Sequence, residues 1–435
     1  MRFGTDGVRG RANTELTPAF ALDLGRAAAQ VLRASVAVVG GDSRISTPML
    51  EAAFVAGLAS EGVEVHRLGV TPTPAVAFEA ARIGAMGAVI SASHNPFHDN
   101  GIKLFAPGGT ELPDEIEARI EDALSSLDGH TADPAPIHGR GDAGEAYVEH
   151  LLGVLEGRDL TGLRVVVDAA NGAASHLAAN GFTRTGAPVV VVHDRPDGTN
   201  INAGCGATAP EVLQALVTAE RAHVGIALDG DADRLIAVDE RGDVVDGDHV
   251  IAICATDLRA RGKLHDDTVV VTVMTNLGFR LAMEAAGIHV VETAVGDRYV
   301  LEALAEGGYS LGGEQSGHVI FTEHATTGDG MLTALALLDV VHRSGRQLSQ
   351  LAAAAMTQLP QVLVNVRVSE RRADVAELIA AEIAAAEADL GETGRVLIRA
   401  SGTEPLIRVM VEAPTADQAR STADSLAAAI RSVCP

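Results

Sequence analysis

The stretch Ser91-Ala92-Ser93-His94-Asn95-Pro96 puts hydroxyl nucleophiles and an imidazole beside a turn signal at the end of the apolar run 87–90. That run has the length and composition of a buried strand, and Pro96, by fixing its own φ and restricting Asn95, stops simple continuation. Ser93 is therefore expected at a strand-to-loop junction. Asp99-Asn100-Gly101 is a second turn signal, after which Ile102-Lys103-Leu104-Phe105 brings a cation within a few residues of the hydroxyl. Lys103 and Lys263 are the only lysines of the chain. A lysine can give up a proton and an arginine effectively cannot, which makes Lys103 a candidate proton carrier. Competing readings are a plain polar turn at Ser93, which no Gly-x-Ser-x-Gly elbow surrounds, and a lysine lying along an edge strand with its ammonium in water.

Three further stretches carry chemistry. Asp229-Gly230-Asp231-Ala232-Asp233-Arg234 alternates carboxylates with small residues, so three oxygen ligands could wrap one hard cation such as Mg²⁺. Glu240 falls twelfth from Asp229, as in an EF-hand, but Arg234 stands where that loop needs glycine, and the flanks read as strands. A solvated acidic turn is the bland alternative. Arg399-Ala400-Ser401-Gly402-Thr403-Glu404-Pro405, with Arg408 beyond it, supplies guanidinium groups, hydroxyls and a bare glycine backbone suited to a phosphate; a hairpin turn would explain the glycine and serine but not the bracketing arginines. In Gly312-Gly313-Glu314-Gln315-Ser316-Gly317-His318, Glu314 and Ser316 could hold neighbouring hydroxyls and His318 could move a proton.

The Ser93, Asp229 and Gly312 stretches end three segments that share one syntax, read as an internally repeated α/β unit. The first has apolar strands at 36–40, 63–66 and 87–90; the second at 163–168, 188–192 and 223–228; the third at 269–273, 289–291 and 309–311. Helical spacing fills the gaps, so largely parallel sheets are expected, with ligands gathered at the carboxyl ends of strands. From about residue 361 an alternating strand, an Ala/Glu-rich helix and two strands read as a smaller α+β domain, and the Asp/Gly/Pro/His-rich stretch 125–142 marks a boundary. At 435 residues the length alone suggests about three domains, and 47% apolar composition is ample for buried cores. A net charge of −25 with no basic run argues against nucleic acid and anionic membranes. The opening shows no signal-type region and no apolar run is long enough to span a bilayer, so a cytoplasmic protein is expected. Cys205, Cys254 and Cys434 lack zinc-type or disulfide-type spacing and are expected to be inert.

Taken in order, Gly4-Thr5-Asp6-Gly7-Val8-Arg9-Gly10, Ser91 to Pro96, Asp229 to Arg234, Gly312 to His318 and Arg399 to Pro405 resemble the motifs of the α-D-phosphohexomutase superfamily along the whole chain. The opening motif, the run from Ser93 to Lys103 and the form Gly-Glu-Gln-Ser-Gly-His most resemble its bacterial members acting on glucosamine phosphates. The resemblance implies three similar α/β domains with mixed sheets plus a smaller α+β C-terminal domain around a central cleft. Its boundaries would be 1–145 (phosphoserine loop), 146–247 (metal loop), 248–360 (sugar loop) and 361–435 (phosphate loop). It implies Ser93 as the phosphorylated nucleophile, one Mg²⁺ held by Ser93, Asp229, Asp231 and Asp233, and Arg9, Lys103 and His318 around proton and phosphoryl transfer. Substrate would be bound by His94, Arg234, Glu314, Ser316, Arg399, Ser401, Gly402, Thr403 and Arg408. The implied reaction interconverts glucosamine 6-phosphate and 1-phosphate through a 1,6-bisphosphate, feeding UDP-N-acetylglucosamine and cell-wall precursors. Mannose or glucose phosphates, or a non-catalytic sugar-phosphate sensor, are the alternatives. The expected partner is a phosphorylated amino sugar, with a homodimer as the candidate assembly. Ala203, Ala207 and Ala209 replace polar residues of the family pattern, so the stretch 201–209 is expected to have no polar role. Two −2 charges ~5 Å apart at an effective dielectric of ~20 repel by roughly 13 kcal/mol, so a metal and arginines are required, and a domain carrying the phosphate loop would open at a hinge near 360.

Overall fold

Apolar runs without alternation cannot leave one face to water, so they become strands covered on both sides by helices. The computed structural model describes residues 2–4, 6–127, 129, 132–369, 372, 374–400 and 405–434. The first sheet contains β1 (Val8–Arg11), β2 (Val36–Gly41), β3 (Glu64–Val70), β4 (Met86–Ile90), β5 (Asp99–Phe105) and β6 (Ile137–Gly139), in the order β1-β5-β4-β2-β3-β6. The second contains β7 (Val165–Asp168), β8 (Val189–Val192), β9 (Val224–Leu228), β10 (Leu235–Asp239) and β11 (Val244–Val245), ordered β11-β10-β9-β7-β8. The third contains β12 (Thr268–Thr272), β13 (His289–Thr293), β14 (Leu311–Gly313) and β15 (Val319–Phe321), ordered β13-β12-β14-β15.

One design recurs in all three. Three successive strands run parallel through helical crossovers, and the last of them then turns back antiparallel: β4 into β5, β9 into β10, β14 into β15. The sheets, largely parallel as the strand–helix alternation suggests, are thus mixed, as the family resemblance implies. Each reactive loop is the hairpin connection itself, at the carboxyl end of a parallel strand. β5 lies between β1 and β4, so Lys103 sits inside the sheet and not on the edge strand considered from sequence.

Helices cover the sheets with a close fit in the first. Thr17 caps the helix Pro18–Leu32, its hydroxyl accepting from the Phe20 N–H at 3.2 Å, and Pro18 fills the first turn, where no N–H is needed. This helix packs on the helix Thr47–Ser60 through reciprocal glycines. A Cβ on Gly25 would fall 2.3 Å from Phe54 O, and one on Gly57 would fall 2.1 Å from Leu22 O.

The chain divides into two compact units, residues 1–273 with 288–353, and residues 274–287 with 354–435. The three mixed sheets belong to the first. The second is built on an antiparallel sheet of β16 (Gln361–Arg367), β17 (Arg395–Ala400) and β18 (Leu406–Glu412), ordered β16-β18-β17. Val409, Val411, Ala423, Leu426 and Ile430 fill its core beneath the helix Ala416–Val433. The crossover helix between β12 and β13, Leu277–Ala285, also packs in this unit. Glu412 explains why: its carboxylate accepts from the Leu277 N–H at 2.9 Å and from Asn276 Nδ2 at 3.3 Å, all three being buried. No helix among the described residues is long and apolar enough to cross a membrane.

The crossing of the two glycine-bearing helices sets an expectation. Gly57→Ala must push backbone against backbone, and is expected to destabilise the first unit by about 1–3 kcal/mol in denaturant titration; an unchanged midpoint contradicts the close packing.

Candidate active site

The loops after β4 and β9 meet in one hydrogen bond: Ser93 Oγ donates to Asp229 Oδ2 at 2.6 Å. Ser93 is buried and has φ +49°, a left-handed conformation that a non-glycine residue keeps only when its surroundings hold it there. Those surroundings are specific. The Ser93 N–H donates to Ser91 Oγ at 3.0 Å, and Arg44 Nη2 donates to Ser93 O at 2.9 Å and to Asn95 O. Asn202 Nδ2, from the second sheet's loops, donates to the same two carbonyls at 2.9 and 3.2 Å. Gly230 leaves the room, because a Cβ there would lie 2.5 Å from Ser93 O and 2.7 Å from Asn202 Nδ2. His94 Nδ1 lies 3.3 Å from Ser93 Oγ. Burial, then the charges of Arg234 and Arg9, lower the His94 pKa and leave a neutral imidazole at pH 7.

Asp229, Asp231 and Asp233 are all buried, so the loop is not a solvated acidic turn, and β9 and β10 flank it where an EF-hand would have helices. One oxygen from each carboxylate lies within 4.8 Å of the other two. At that separation two full charges repel by about 3.5 kcal/mol at an effective dielectric of about 20, so three ionised together need a cation. Protonation shows the same pressure. Burial, with repulsion from Asp233 and Asp231, raises Asp229 well above the carboxylate range, and burial with repulsion from Asp233 pushes Asp231 up to about 6. Burial would also raise Asp233, but the hydrogen bond from His318, with the charges of Arg234 and Lys103, holds it low. Thr73 Oγ1 donates to Asp231 Oδ2 at 2.7 Å, while Asp231 Oδ1 and Asp233 Oδ1 are buried without a hydrogen bond. Two unpartnered carboxylate oxygens beside the Ser93 hydroxyl are the donor set a hard divalent cation takes.

The third loop joins through His318, whose Nδ1 lies 3.3 Å from Asp233 Oδ2. Its Nε2 accepts from the Gly328 N–H at 3.1 Å, which places the ring proton on Nδ1. Burial opposes a second proton, whereas Asp233 and Asp297 favour one and push the imidazole up to about 9; the Gly328 donor holds Nε2 unprotonated in this arrangement. Both ring nitrogens are engaged, so His318 braces Asp233 and is not the free proton carrier expected from sequence. Glu314 Oε2 accepts from Ser316 Oγ at 3.1 Å and Oε1 from the Gly296 N–H at 3.3 Å. Gly317 has φ +92° and a Cβ on it would lie 2.0 Å from Leu235 O, so this loop too is pressed against the second sheet.

Lys103 differs from its sequence reading in the same way. Burial favours its neutral form, but Asp297 at 2.7 Å and Glu111, both hydrogen-bonded to Nζ, raise its pKa well above the ordinary value. It keeps its proton and supplies a fixed positive charge. Arg9, on β1 opposite Gly101, pairs with Asp6 at 3.4 Å, and Arg234 lies 3.8 Å from Asp233; each keeps a buried Nε without a hydrogen-bond partner. Arg44, Thr73, Glu111, Asp297 and Asn202 were not expected at the site. Gly41-Asp42-Ser43-Arg44 repeats the pattern of polar residues after an apolar strand and could have been found by it. Asn202 lies in the very stretch expected to have no polar role. The alanines there remove side chains, but Asn202, at φ +57°, turns its amide onto the Ser93 loop.

In the second unit Arg399 and Arg408 stand directly opposite each other on β17 and β18, both exposed. Like charges opposed across a ladder repel unless an anion lies between them. Ser401, Gly402 and Thr403 lie outside the described residues.

Four descriptions of one family match in order: phosphoglucomutase/phosphomannomutase alpha/beta/alpha domain I over residues 1–130, domain II over 145–242, domain III over 246–359, and the C-terminal domain over 363–429. The chain belongs to the phosphoglucomutase/phosphomannomutase family. Among its relatives, a phosphoglucosamine mutase of Thermobifida fusca (strain YX) is 54% identical over 99% of this chain and 98% of its own length. A solved phosphoglucomutase/phosphomannomutase family protein from Burkholderia thailandensis is 25% identical, covers 99% of this chain and 97% of its own, and superposes with a TM-score of 0.82. The fold is shared as well by N-acetylphosphoglucosamine mutase of Aspergillus fumigatus, solved in complex with GlcNAc-6P and magnesium, at 20% identity over 100% of this chain and 95% of its own, with a TM-score of 0.72.

Removing the Asn202 amide leaves two buried carbonyls of the Ser93 loop with one donor fewer. Asn202→Ala is expected to lower kcat about tenfold, the worth of one lost hydrogen bond, with KM little changed in steady-state assays. Unchanged kcat contradicts the clamp.

Proposed function

We propose that this chain is a phosphoglucosamine mutase, interconverting glucosamine 6-phosphate and glucosamine 1-phosphate through a phosphoserine at Ser93 and a bound 1,6-bisphosphate. The observation that carries the reading is the 2.6 Å contact between Ser93 Oγ and Asp229 beside two unpartnered, buried carboxylate oxygens. The identity to phosphoglucosamine mutases along the whole chain supports the choice of sugar. The work divides along the chain as phosphoserine in 1–145, metal in 146–247, sugar in 248–360 and distal phosphate in 361–435. A cytoplasmic location goes with a phosphorylated, membrane-impermeant substrate and an amino-sugar product used in cell-wall synthesis.

In the forward half-reaction the bond from Ser93 Oγ to phosphorus breaks and one from a sugar hydroxyl oxygen forms, in line and with loose bonding, so little covalent help is needed and charge neutralisation is most of the catalysis. Asp229, Asp231 and Asp233 hold Mg²⁺, which when bound neutralises charge on the transferring group. Arg9, Arg234 and Lys103 add fixed positive charge on the protein side. The sugar hydroxyl must lose a proton and the departing Ser93 Oγ must gain one, and the neutral His94 beside Ser93 Oγ can take up the first and return it to the second, whereas the protons and lone pairs of Lys103 and His318 are committed elsewhere. Glu314 and Ser316 take sugar hydroxyls. Arg399 and Arg408, with Ser401, Gly402 and Thr403, take the phosphate that is not reacting, and the intermediate turns end for end to complete the cycle.

Ser93→Ala is expected to lose turnover by at least about a thousandfold while still binding the phosphosugar, and mass spectrometry of the purified wild type is expected to find phosphate on Ser93. Turnover retained in the variant contradicts the nucleophile. Chelation is expected to silence the enzyme and Mg²⁺ to restore it; full activity in excess chelator contradicts the metal loop. Side-by-side turnover of glucosamine, mannose and glucose phosphates tests the sugar, with glucosamine expected to lead.

A further inference from the structure

A second cluster of ligating groups lies behind the Ser93 loop, apart from the three aspartates. Asp168 at the end of β7, His193 just after β8 and Cys205 each offer one ligand atom, and the three atoms lie within 4.8 Å of one another. Asp168 and Cys205 are buried, while the His193 side chain keeps 28% of its exposure and opens the cluster to solvent. His193 Nδ1 is 3.0 Å from Asp168 Oδ2, yet this buried nitrogen makes no hydrogen bond, because the ring is out of line with the carboxylate. A plain His–Asp pair would align the N–H with the oxygen. Asp168 is instead held by backbone donors, Ala170 N–H on Oδ1 and Gly206 N–H on Oδ2, both at 2.9 Å, and these leave further lone pairs on each oxygen. Sulfur, imidazole nitrogen and carboxylate oxygen converging without hydrogen bonds among themselves is the donor set of a borderline-soft ion. Tetrahedral ligands at about 2.0–2.3 Å from zinc stand roughly 3.5 Å apart, a spacing within reach of three atoms that all lie within 4.8 Å of one another.

We infer that Asp168, His193 and Cys205 form a binding site for a zinc-class divalent ion, separate from the magnesium loop. The site is not visible in the spacing of the cysteines, since its ligands come from three different loops of the second sheet. It is tied to the candidate active site by short backbone links: Gly206 bonds Asp168, and Asn202, three residues before Cys205, bonds Ser93 O. An ion here would fix the loop that carries Asn202.

Cobalt(II) is the probe, added to the full chain in the presence of excess Mg²⁺. A cobalt–thiolate bond gives a near-ultraviolet charge-transfer band that no carboxylate site can give. The expected result is a band saturating at one equivalent, absent in Cys205→Ser, at least about tenfold weaker in affinity in His193→Asn, and retained in Asp231→Asn. No band in the wild type, or a band of unchanged affinity in Cys205→Ser or in His193→Asn, overturns the assignment. His193 is partly exposed, so its variant reads the site even if the buried cysteine cannot be replaced without loss of folding.

Discussion

The constraint on which the rest depends is like charge crowded into a dry place. A hydroxyl suited to carry a phosphate lies 2.6 Å from Asp229, and two more carboxylates lie within a few ångströms of that one. Without a cation the cluster relieves itself by taking up protons, which is why Asp229 and Asp231 titrate high. With one, the same oxygens become ligands, and a dianion can be held next to a second dianion. Much of the surrounding structure answers to this one need, by adding fixed positive charge at Arg9, Lys103 and Arg234, and by keeping the cluster buried so that the attraction is not screened.

Bringing the loops together is a matter of topology and of missing side chains. Each sheet of the first unit ends its parallel run in a hairpin, and each hairpin tip carries one of the polar loops. Close approach then requires glycine at the contacts. Gly230 lets the aspartate loop touch the Ser93 carbonyl, and Gly317 lets the Glu314–His318 loop lie on the Leu235 backbone. The strained Ser93 conformation persists because donors from two sheets, Arg44 and Asn202, hold the same pair of carbonyls. Strain of this kind costs about 1–3 kcal/mol and is stable only where several contacts agree.

Much of this was legible in the sequence. Unbroken apolar runs named the strands, turn residues named the loops, and the alternation Asp-x-Asp-x-Asp named a cluster of three carboxylates close enough to hold a metal ion, because those properties are local. What could not be read was partnership across distance. Lys103 reads as a proton carrier until Glu111 and Asp297 are seen around it, and His318 likewise until Asp233 and Gly328 take both ring nitrogens. The mixed character of the sheets came from the family resemblance and not from local pattern, since a short loop after a parallel strand does not itself announce the antiparallel return of β5, β10 and β15. The stretch 201–209 misled by its alanines, whereas the informative residue was Asn202, whose left-handed backbone aims an amide at another loop. The helix Leu277–Ala285 lies between strands of the third sheet in sequence but packs in the second unit, because Glu412 binds its first turn.

The most direct measurement replaces Mg²⁺ by Mn²⁺ in protein phosphorylated at Ser93 and records the pulsed electron–nuclear spectrum of the bound ion. If one cation is shared by the aspartate loop and the Ser93 phosphoryl group, a strong phosphorus-31 coupling is expected, and it disappears when that phosphate is removed. Manganese bound at full occupancy with no phosphorus coupling would contradict the shared site.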